Sequence, residues 1–441
     1  MNYRRQRHAC SHPDPWSLEA TLWAKTAPAL PKTSTLCESL DVDVAIVGGG
    51  FTGVSSALHL AEVGTSVAVL EAEEIGWGCS SRNEGNVAPS WWGTSPDAII
   101  SGYGEDRGER MNRLVAGSGD LVSELVEKHS IECEYRKKGV LWVAENEKQM
   151  RTITSTGEQW ARYGHRIEPV TGQDLPDYIA TERYVGGTIN REYARINPAA
   201  YVRGLARAAL AAGARIFTGS RATAIEKQRD RWRVSSAQGE VIADQVIIGT
   251  NSHSGALWPL LSRSFYPATV AMFASEPYAD GGKSMLLKDV PFHDSNILSL
   301  FGVFFDEVGR LLGGIVPPIY KSALLEAITR PADLKFARIF PQLPLPIWRH
   351  LWIGTMCMMP DGVPRVYRLA PGVYSAMGYS GSGICPATAI GRELAKMIVK
   401  EDESVCAMPI SEVKALPFAR LIPLLMRCIS NPIMRLSYRF N

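Results

Sequence analysis

Asp-Val-Asp-Val-Ala-Ile-Val-Gly-Gly-Gly-Phe-Thr-Gly, residues 41–53, is the stretch on which the fold turns. Val42, Val44, Ile46 and Val47 make a short β-branched apolar run, the pattern of a buried strand. Gly48-x-Gly50-x-x-Gly53 follows directly. An Ala/Leu-rich helix then runs to Gly64, and a second strand, Ser66 to Leu70, ends at Glu71. Together these form a βαβ unit. The glycines stand where clearance is needed: Gly48 for a tight turn, Gly50 for backbone approach to a pyrophosphate, Gly53 for close helix–strand packing. The helix N-terminus offers N–H groups and partial positive charge to phosphates, and Glu71 is placed to accept hydrogen bonds from ribose hydroxyls. The fingerprint by itself does not distinguish FAD from NAD.

The rest of the chain sets the bounds. At 441 residues it exceeds one ordinary core, so two domains are expected. Hydrophobic residues make up 46% and charged residues 21%, a globular composition. A net charge of +2 gives no overall field for a polyanion, and nucleic acid is not expected as a partner. The eight cysteines form no CxxC pair and no zinc spacing, which suits a reducing compartment and no metal site. No run approaches the roughly 20 apolar residues that span a bilayer. A cytoplasmic location, or a peripheral one on the inner membrane, is expected.

Beyond the βαβ unit, Gly76-Trp-Gly-Cys-Ser-Ser-Arg-Asn-Glu-Gly85 is too polar for a core strand and too glycine-rich for a helix. This segment resembles one in the D-amino acid oxidase-like family of FAD enzymes. The branch that holds the gamma-glutamylputrescine and L-pipecolate oxidases carries a similar GxGxSGRNGG-like segment, which threads past the flavin. Ala243 to Asn251 is similar to the strand and turn that close the FAD domain. Asp361-Gly-Val-Pro364 and Gly378-Tyr-Ser-Gly-Ser-Gly383 resemble the family's C-terminal flavin motif, where a helix N-terminus stabilises the anionic reduced ring.

The resemblance covers roughly residues 40–400. It implies an α/β fold: a Rossmann-like FAD-binding domain with a second, mostly antiparallel β-sheet substrate domain. The cofactor-binding set it implies is Gly48, Gly50, Phe51, Thr52, Gly53, Glu71, Ala72, Gly78, Cys79, Ser80, Arg82, Asn83, Glu84, Gly85, Thr223, Ala224, Thr250, Asn251, Gly378, Tyr379, Ser380, Gly381, Ser382, Gly383 and Ile384. In a neighbouring branch the flavin is bound covalently to a cysteine. Here an ungapped match from Asp361 puts Gly354 at that place, with Cys357 three residues on, so non-covalent FAD is expected.

The activity implied is oxidation of an amine or amino acid to an imine by hydride transfer to flavin. A secondary amine or a cyclic imino acid such as L-pipecolate is the expected substrate, with oxygen or quinone as acceptor. The alternatives are a gamma-glutamylputrescine-type amine and a 2-hydroxy acid. A pyridine-nucleotide-linked reductase would carry a second glycine fingerprint, which is missing. Three residues are candidates for catalysis. Glu84, where the family segment usually has glycine, is placed to bind an ammonium or accept its proton, or else to pair with Arg82. Tyr379 replaces a residue that is often histidine, and His253 follows the closing turn. Trp91 and Trp92 either wall a substrate cavity or pack, and Arg365 is a possible carboxylate clamp.

The expected organisation is an N-terminal arm (1–40), a discontinuous FAD domain (41–100, 200–260, 350–400), a substrate domain (101–199, 261–349) and a tail (401–441). Within the tail, residues 416–441 are apolar with only positive charges. They can lie in an anionic membrane interface or dock on the protein itself.

Overall fold

The computed structural model describes residues 14–295, 302–315 and 325–419. Two large sheets organise it. The first has nine strands around a parallel centre, in which Ser39–Val47 lies between Val67–Leu70 and Glu240–Ile248. Ser39–Val47 alternates between exposed and buried at its start and is buried throughout its second half. That is why its sequence passes from alternation to a continuous apolar run. Arg215–Phe217 extends the sheet beyond Val67–Leu70, and Val373–Met377 extends it beyond Glu240–Ile248. The fingerprint helix, Phe51–Ala61, packs against Pro198–Ala211 and the C-terminal helix Ile384–Lys400. Pro198 occupies the first turn of its helix, and the Asn197 side chain caps it by accepting from Ala200 N at 3.1 Å.

The second sheet has eight strands and is antiparallel except where Phe292–Asp294 runs parallel to Val140–Ala144. Its own core is built on Phe273, Phe292, Phe336 and Phe340. Two details differ from expectation. The pair Gly313-Gly314, in sequence a turn signal, lies inside the strand Arg310–Ile315. The glycines are there for clearance, because a Cβ at Gly313 would come within 2.7 Å of the Phe273 ring and one at Gly314 within 2.5 Å of Met272 Sδ. Residues 350–358, expected with the FAD domain, belong instead to the strand Trp348–Met358 of the second sheet. In the tail, Ile410–Ser411 pairs with Arg365–Ala370 at the edge of the first sheet, and residues 420–441 lie outside the described residues.

The N-terminal segment ties the halves together. Ile353 N donates to Pro15 O at 2.8 Å on the second sheet, and Thr218 N donates to Ser34 O at 3.1 Å beside the first. Between these points, Trp23 is 3% exposed, meets Trp352 edge-on and donates Nε1–H to Asn83 O at 2.8 Å. The arm therefore grips the 76–85 loop directly. Trp23→Ala removes a buried ring and leaves a carbonyl unpaired, so it is expected to cost about 3–5 kcal/mol. A lowered urea midpoint checks this, and an unchanged midpoint would show that the arm contributes nothing.

Candidate active site

Parallel pairing aligns the ends of the central strands. Val47 is level with both Leu70 and Ile248, and Ile248 with Ser375. The turns that follow, at 48–53, 71–73, 249–257 and 378–383, therefore meet at one sheet edge, where this kind of sheet binds its ligands. They enclose a cavity of about 670 Å³. Of the expected cofactor residues, Gly48, Gly50, Phe51, Thr52, Glu71, Ala72, Gly78, Cys79, Ser80, Asn83, Thr223, Thr250, Asn251, Tyr379, Ser380, Gly381 and Gly383 line it.

The other expected residues stand behind this wall. A Cβ on Gly53 would lie 1.9 Å from Gly48 O, so this glycine sets how closely the helix approaches the turn. Gly85 is pressed on Ile196 O, and Gly378 packs on Met359. Ala224 opens the strand Ala224–Gln228, and Ile384 begins the C-terminal helix. Ser382 Oγ donates to Ala88 O and Ser90 O. Arg82 turns inward, donating to Trp77 O at 2.8 Å and to Ile353 O at 3.2 Å.

The cavity fits a dinucleotide. Phe51–Ala61 and Ile384–Lys400 both begin at a glycine with no side-chain cap, which leaves first-turn amides for a ligand. A Cβ at Gly50 would intrude to 3.0 Å from Ser80 Oγ. Glu71 accepts from Gly49 N at 2.6 Å and from Glu73 N at 2.9 Å, which fixes its carboxylate at the ribose position of such folds. Burial raises its pKa against those hydrogen bonds. Cys357 also lines the cavity, and burial pushes its thiol well up.

The three catalytic candidates do not share one place. His253 lines the cavity, edge-on to Trp77, and burial with Arg82 and Arg221 keeps it neutral. The Tyr379 hydroxyl is bonded to Thr52 Oγ1 at 2.6 Å, and burial drives its pKa up. That hydroxyl pins the C-terminal turn to the fingerprint helix. Glu84 faces the other way, toward the second sheet.

Around Glu84 is a group that the sequence did not mark. Asn86–Val87 pairs with Ala194–Arg195 in a two-stranded ribbon, which brings Arg195 beside the loop. Arg195 donates Nη2–H to the Glu84 main-chain carbonyl, and its guanidinium lies 3.4 Å over the Phe304 ring. His293 Nε2 is 4.0 Å from Glu84 Oε2 and 3.4 Å from Asn86 Nδ2, and its ring stacks on Trp142. Trp92 joins this wall to the cavity. It is 6.3 Å from Trp142, and its indole lies 3.5 Å from where a Gly381 Cβ would stand. Trp91 packs instead, donating to Asn112 Oδ1 at 2.7 Å. Arg365 is taken by Asp361 at 2.6 Å.

Burial raises the Glu84 pKa, and the charge of Arg195 opposes it. Arg82 is not its partner. Burial, then Arg195, depresses His293 to about 3. At 4.0 Å an ion pair with Glu84 is within reach, but both causes oppose charge on the ring, so His293 stays neutral. The sequence Tyr193-Ala-Arg-Ile-Asn197 does not mark Arg195 as buried, because period-two alternation would set it opposite Ala194 and Ile196, yet all five residues are buried.

Comparison with known proteins agrees with this geometry. The family model described as FAD dependent oxidoreductase matches residues 43–397. Gamma-glutamylputrescine oxidoreductase of Escherichia coli (strain K12) is 31% identical over 382 residues, 86% of this chain and 88% of that protein. A probable oxidoreductase of Haemophilus influenzae is 30% identical, covering 82% of this chain and 84% of its own. Among solved structures, L-proline dehydrogenase from P. horikoshii superposes with a TM-score of 0.69 at 18% identity, covering 84% of this chain and 96% of that one. Glycine oxidase from Geobacillus kaustophilus gives 0.67 at 21% identity, covering 82% and 96%. At these identities the two structures speak for the fold.

The depressed His293 fixes a pH dependence. Below about pH 6.5 the unfolded chain protonates this residue while the folded chain does not until about pH 3. Stability is therefore lost as pH falls through that window, at up to about 1.4 kcal/mol per unit. His293→Asn is expected to lose about 1–2 kcal/mol less than the native protein between pH 7 and pH 5. Urea melts at both pH values check this, and equal losses would mean that His293 is charged in the fold.

Proposed function

Because the chain belongs to the DAO family of FAD-dependent oxidoreductases, we propose that it oxidises an amine or amino acid to an imine, with a secondary amine or cyclic imino acid such as L-pipecolate as substrate. The observation that carries the amine is Glu84. Its carboxylate is partly accessible, makes no hydrogen bond among the described residues and has a raised pKa. A carboxylate in that state suits an ammonium group and can take its proton.

Bound FAD supplies the two-electron acceptor to which a C–H bond beside nitrogen gives its hydride. Gly48, Gly50 and the first turn of Phe51–Ala61 would hold its diphosphate, Glu71 its ribose, and the 378–383 turn its ring. Cys357 and Cys79 are protonated at neutral pH, which favours non-covalent attachment. Glu84 accepts the nitrogen's proton at a carboxylate oxygen, Trp92 and Trp142 shield the reacting carbon from water, and water then hydrolyses the released imine. Oxygen or quinone would be the final electron acceptor.

A gamma-glutamylputrescine-type amine is the second reading, and the 31% identity to the Escherichia coli enzyme favours it. No helix of the described residues is long and apolar enough to cross a membrane. The basic segment 416–441, of which 420–441 lie outside the described residues, is proposed as a contact with an anionic membrane surface. Its deletion should move enzyme out of a membrane fraction.

The test is anaerobic. L-pipecolate, proline analogues, gamma-glutamylputrescine and 2-hydroxy acids are each added to the yellow protein, and acid denaturation should release the flavin. Bleaching by amines and not by hydroxy acids is expected, whereas bleaching by hydroxy acids alone would overturn the proposal. Glu84→Gln should lower kcat about 100-fold. The raised pKa means that the native rate climbs with pH as Glu84 ionises, and the variant should lack that limb. A variant that retains the limb would clear Glu84 of the role.

A further inference from the structure

Leu260 is 44% exposed and Phe418 is 69% exposed, although both are large and apolar. Both also hold left-handed backbone, with φ of 64° and 55°. A bulky side chain is rare there, because its Cβ crowds the neighbouring carbonyl. Strain and exposure each oppose folding in water, and the two coincide at both residues. Their turns are joined. Leu416 N donates to Arg263 O at 2.8 Å, and the Tyr266 hydroxyl donates to Pro417 O at 3.2 Å. The turns are also held from beneath: Leu261 and Ala419 are buried, and Trp258 packs on Trp232. An ordered base therefore carries the protruding pair.

Charge is distributed to match. From Gln245 to Ser275 and from Val413 to Asn441 the sequence holds no Asp or Glu. Those two stretches carry Arg263, Lys414, Arg420, Arg427, Arg435 and Arg439. The whole chain has a formal net charge of only +2, so the remainder is net acidic. Arg263 and Lys414 are both exposed, and each stands within a few residues of the apolar pair. Covering this face with residues 420–441 would set cations against cations. Pairing it with a second copy of itself would do the same. An anionic partner meets no such repulsion.

We infer that the face formed by 258–263 and 414–418 seats the protein on an anionic lipid surface. Leu260 and Phe418 enter the headgroup layer, and Arg263 and Lys414 meet lipid phosphates. This rests on the membrane contact proposed for the tail and extends it to the folded body. Leu257, next to this face, lines the cavity, so the seated face adjoins the cofactor site.

Sedimentation of the full-length, FAD-loaded protein with lipid vesicles tests this. Vesicles containing phosphatidylglycerol should carry it down, phosphatidylcholine alone should not, and salt should weaken the binding. Leu260→Gly with Phe418→Gly removes both side chains where glycine relieves the backbone, so the urea midpoint should hold. This pair should bind the anionic vesicles at least about 10-fold more weakly. Arg263→Gln with Lys414→Gln should weaken binding about 10-fold. Variants that bind like the native protein overturn the inference, as does equal binding to both kinds of vesicle.

A chain ending at Ala419 separates this face from the tail. It should still bind anionic vesicles, more weakly, and lose that binding with the glycine pair. If it binds nothing while the full chain's binding ignores the glycine pair, the tail contact stands and the face does not. A glycine pair that lowers the urea midpoint only when residues 420–441 are present would mean that the tail covers the face. A native dimer that the pair makes monomeric would mean that a second copy does. Either result overturns the inference.

Discussion

Everything at the cofactor cavity depends on one close contact. The missing side chain of Gly53 lets the fingerprint helix sit against Gly48 O, where a Cβ would come to 1.9 Å. That approach aims the helix N-terminus into the space above the sheet edge. A second contact of the same kind holds the other helix. A Cβ on Gly391 would meet the Ser55 Cβ at 2.8 Å, and across this seam Ser55 Oγ donates to Thr388 O at 2.7 Å and Ser56 Oγ to Gly391 O at 3.0 Å. Two helix N-termini more than 300 residues apart in sequence are thereby fixed relative to one another. The Tyr379–Thr52 hydrogen bond closes the same junction from the cavity side. Fixed dipoles pointed at a ligand cost little reorganisation when the ligand arrives or its charge changes.

The 76–92 segment belongs to neither sheet, and it is held by both. Arg82 reaches Ile353 O on the second sheet, Ser80 Oγ accepts from Phe51 N at the head of the helix packed on the first, and Trp23 clamps Asn83 O from the arm. With so many anchors it is a loop in shape only. The ribbon Asn86–Val87 with Ala194–Arg195 extends this order to the substrate side, so that Glu84 and Arg195 are placed by main-chain pairing. A site built in this way keeps its geometry when a distant surface residue changes.

How much the sequence discloses follows from the same physics. The glycine turn, the acid at 71 and the helix after 383 are legible because each demands a particular residue at a particular backbone position. Gly313-Gly314 misleads because a glycine needed for side-chain clearance across a sheet looks like one needed for a turn. Residues 350–358 mislead because proximity in sequence to the C-terminal motif says nothing about which sheet a strand joins. Arg82 and Glu84 are two residues apart in a charged loop, and in projection they appear to pair. The structure sends one side chain into the protein and the other toward the second sheet. His293 and Arg195 leave almost no trace in one sequence, since burial of a lone histidine or arginine is a property of the tertiary fold.

The two walls of the site are thus held by different kinds of constraint. On the nucleotide side the wall is made of glycines, where an added Cβ would clash, and of uncapped first-turn amides, so it tolerates little change. On the facing side stand side chains: Trp142 and His293 from the second sheet, and Glu84, Trp92 and Arg195 from the loop and ribbon beside it, while that sheet has its own core around Phe273 and Phe292. Substitutions there can alter the charge and shape offered to a substrate without disturbing the cofactor.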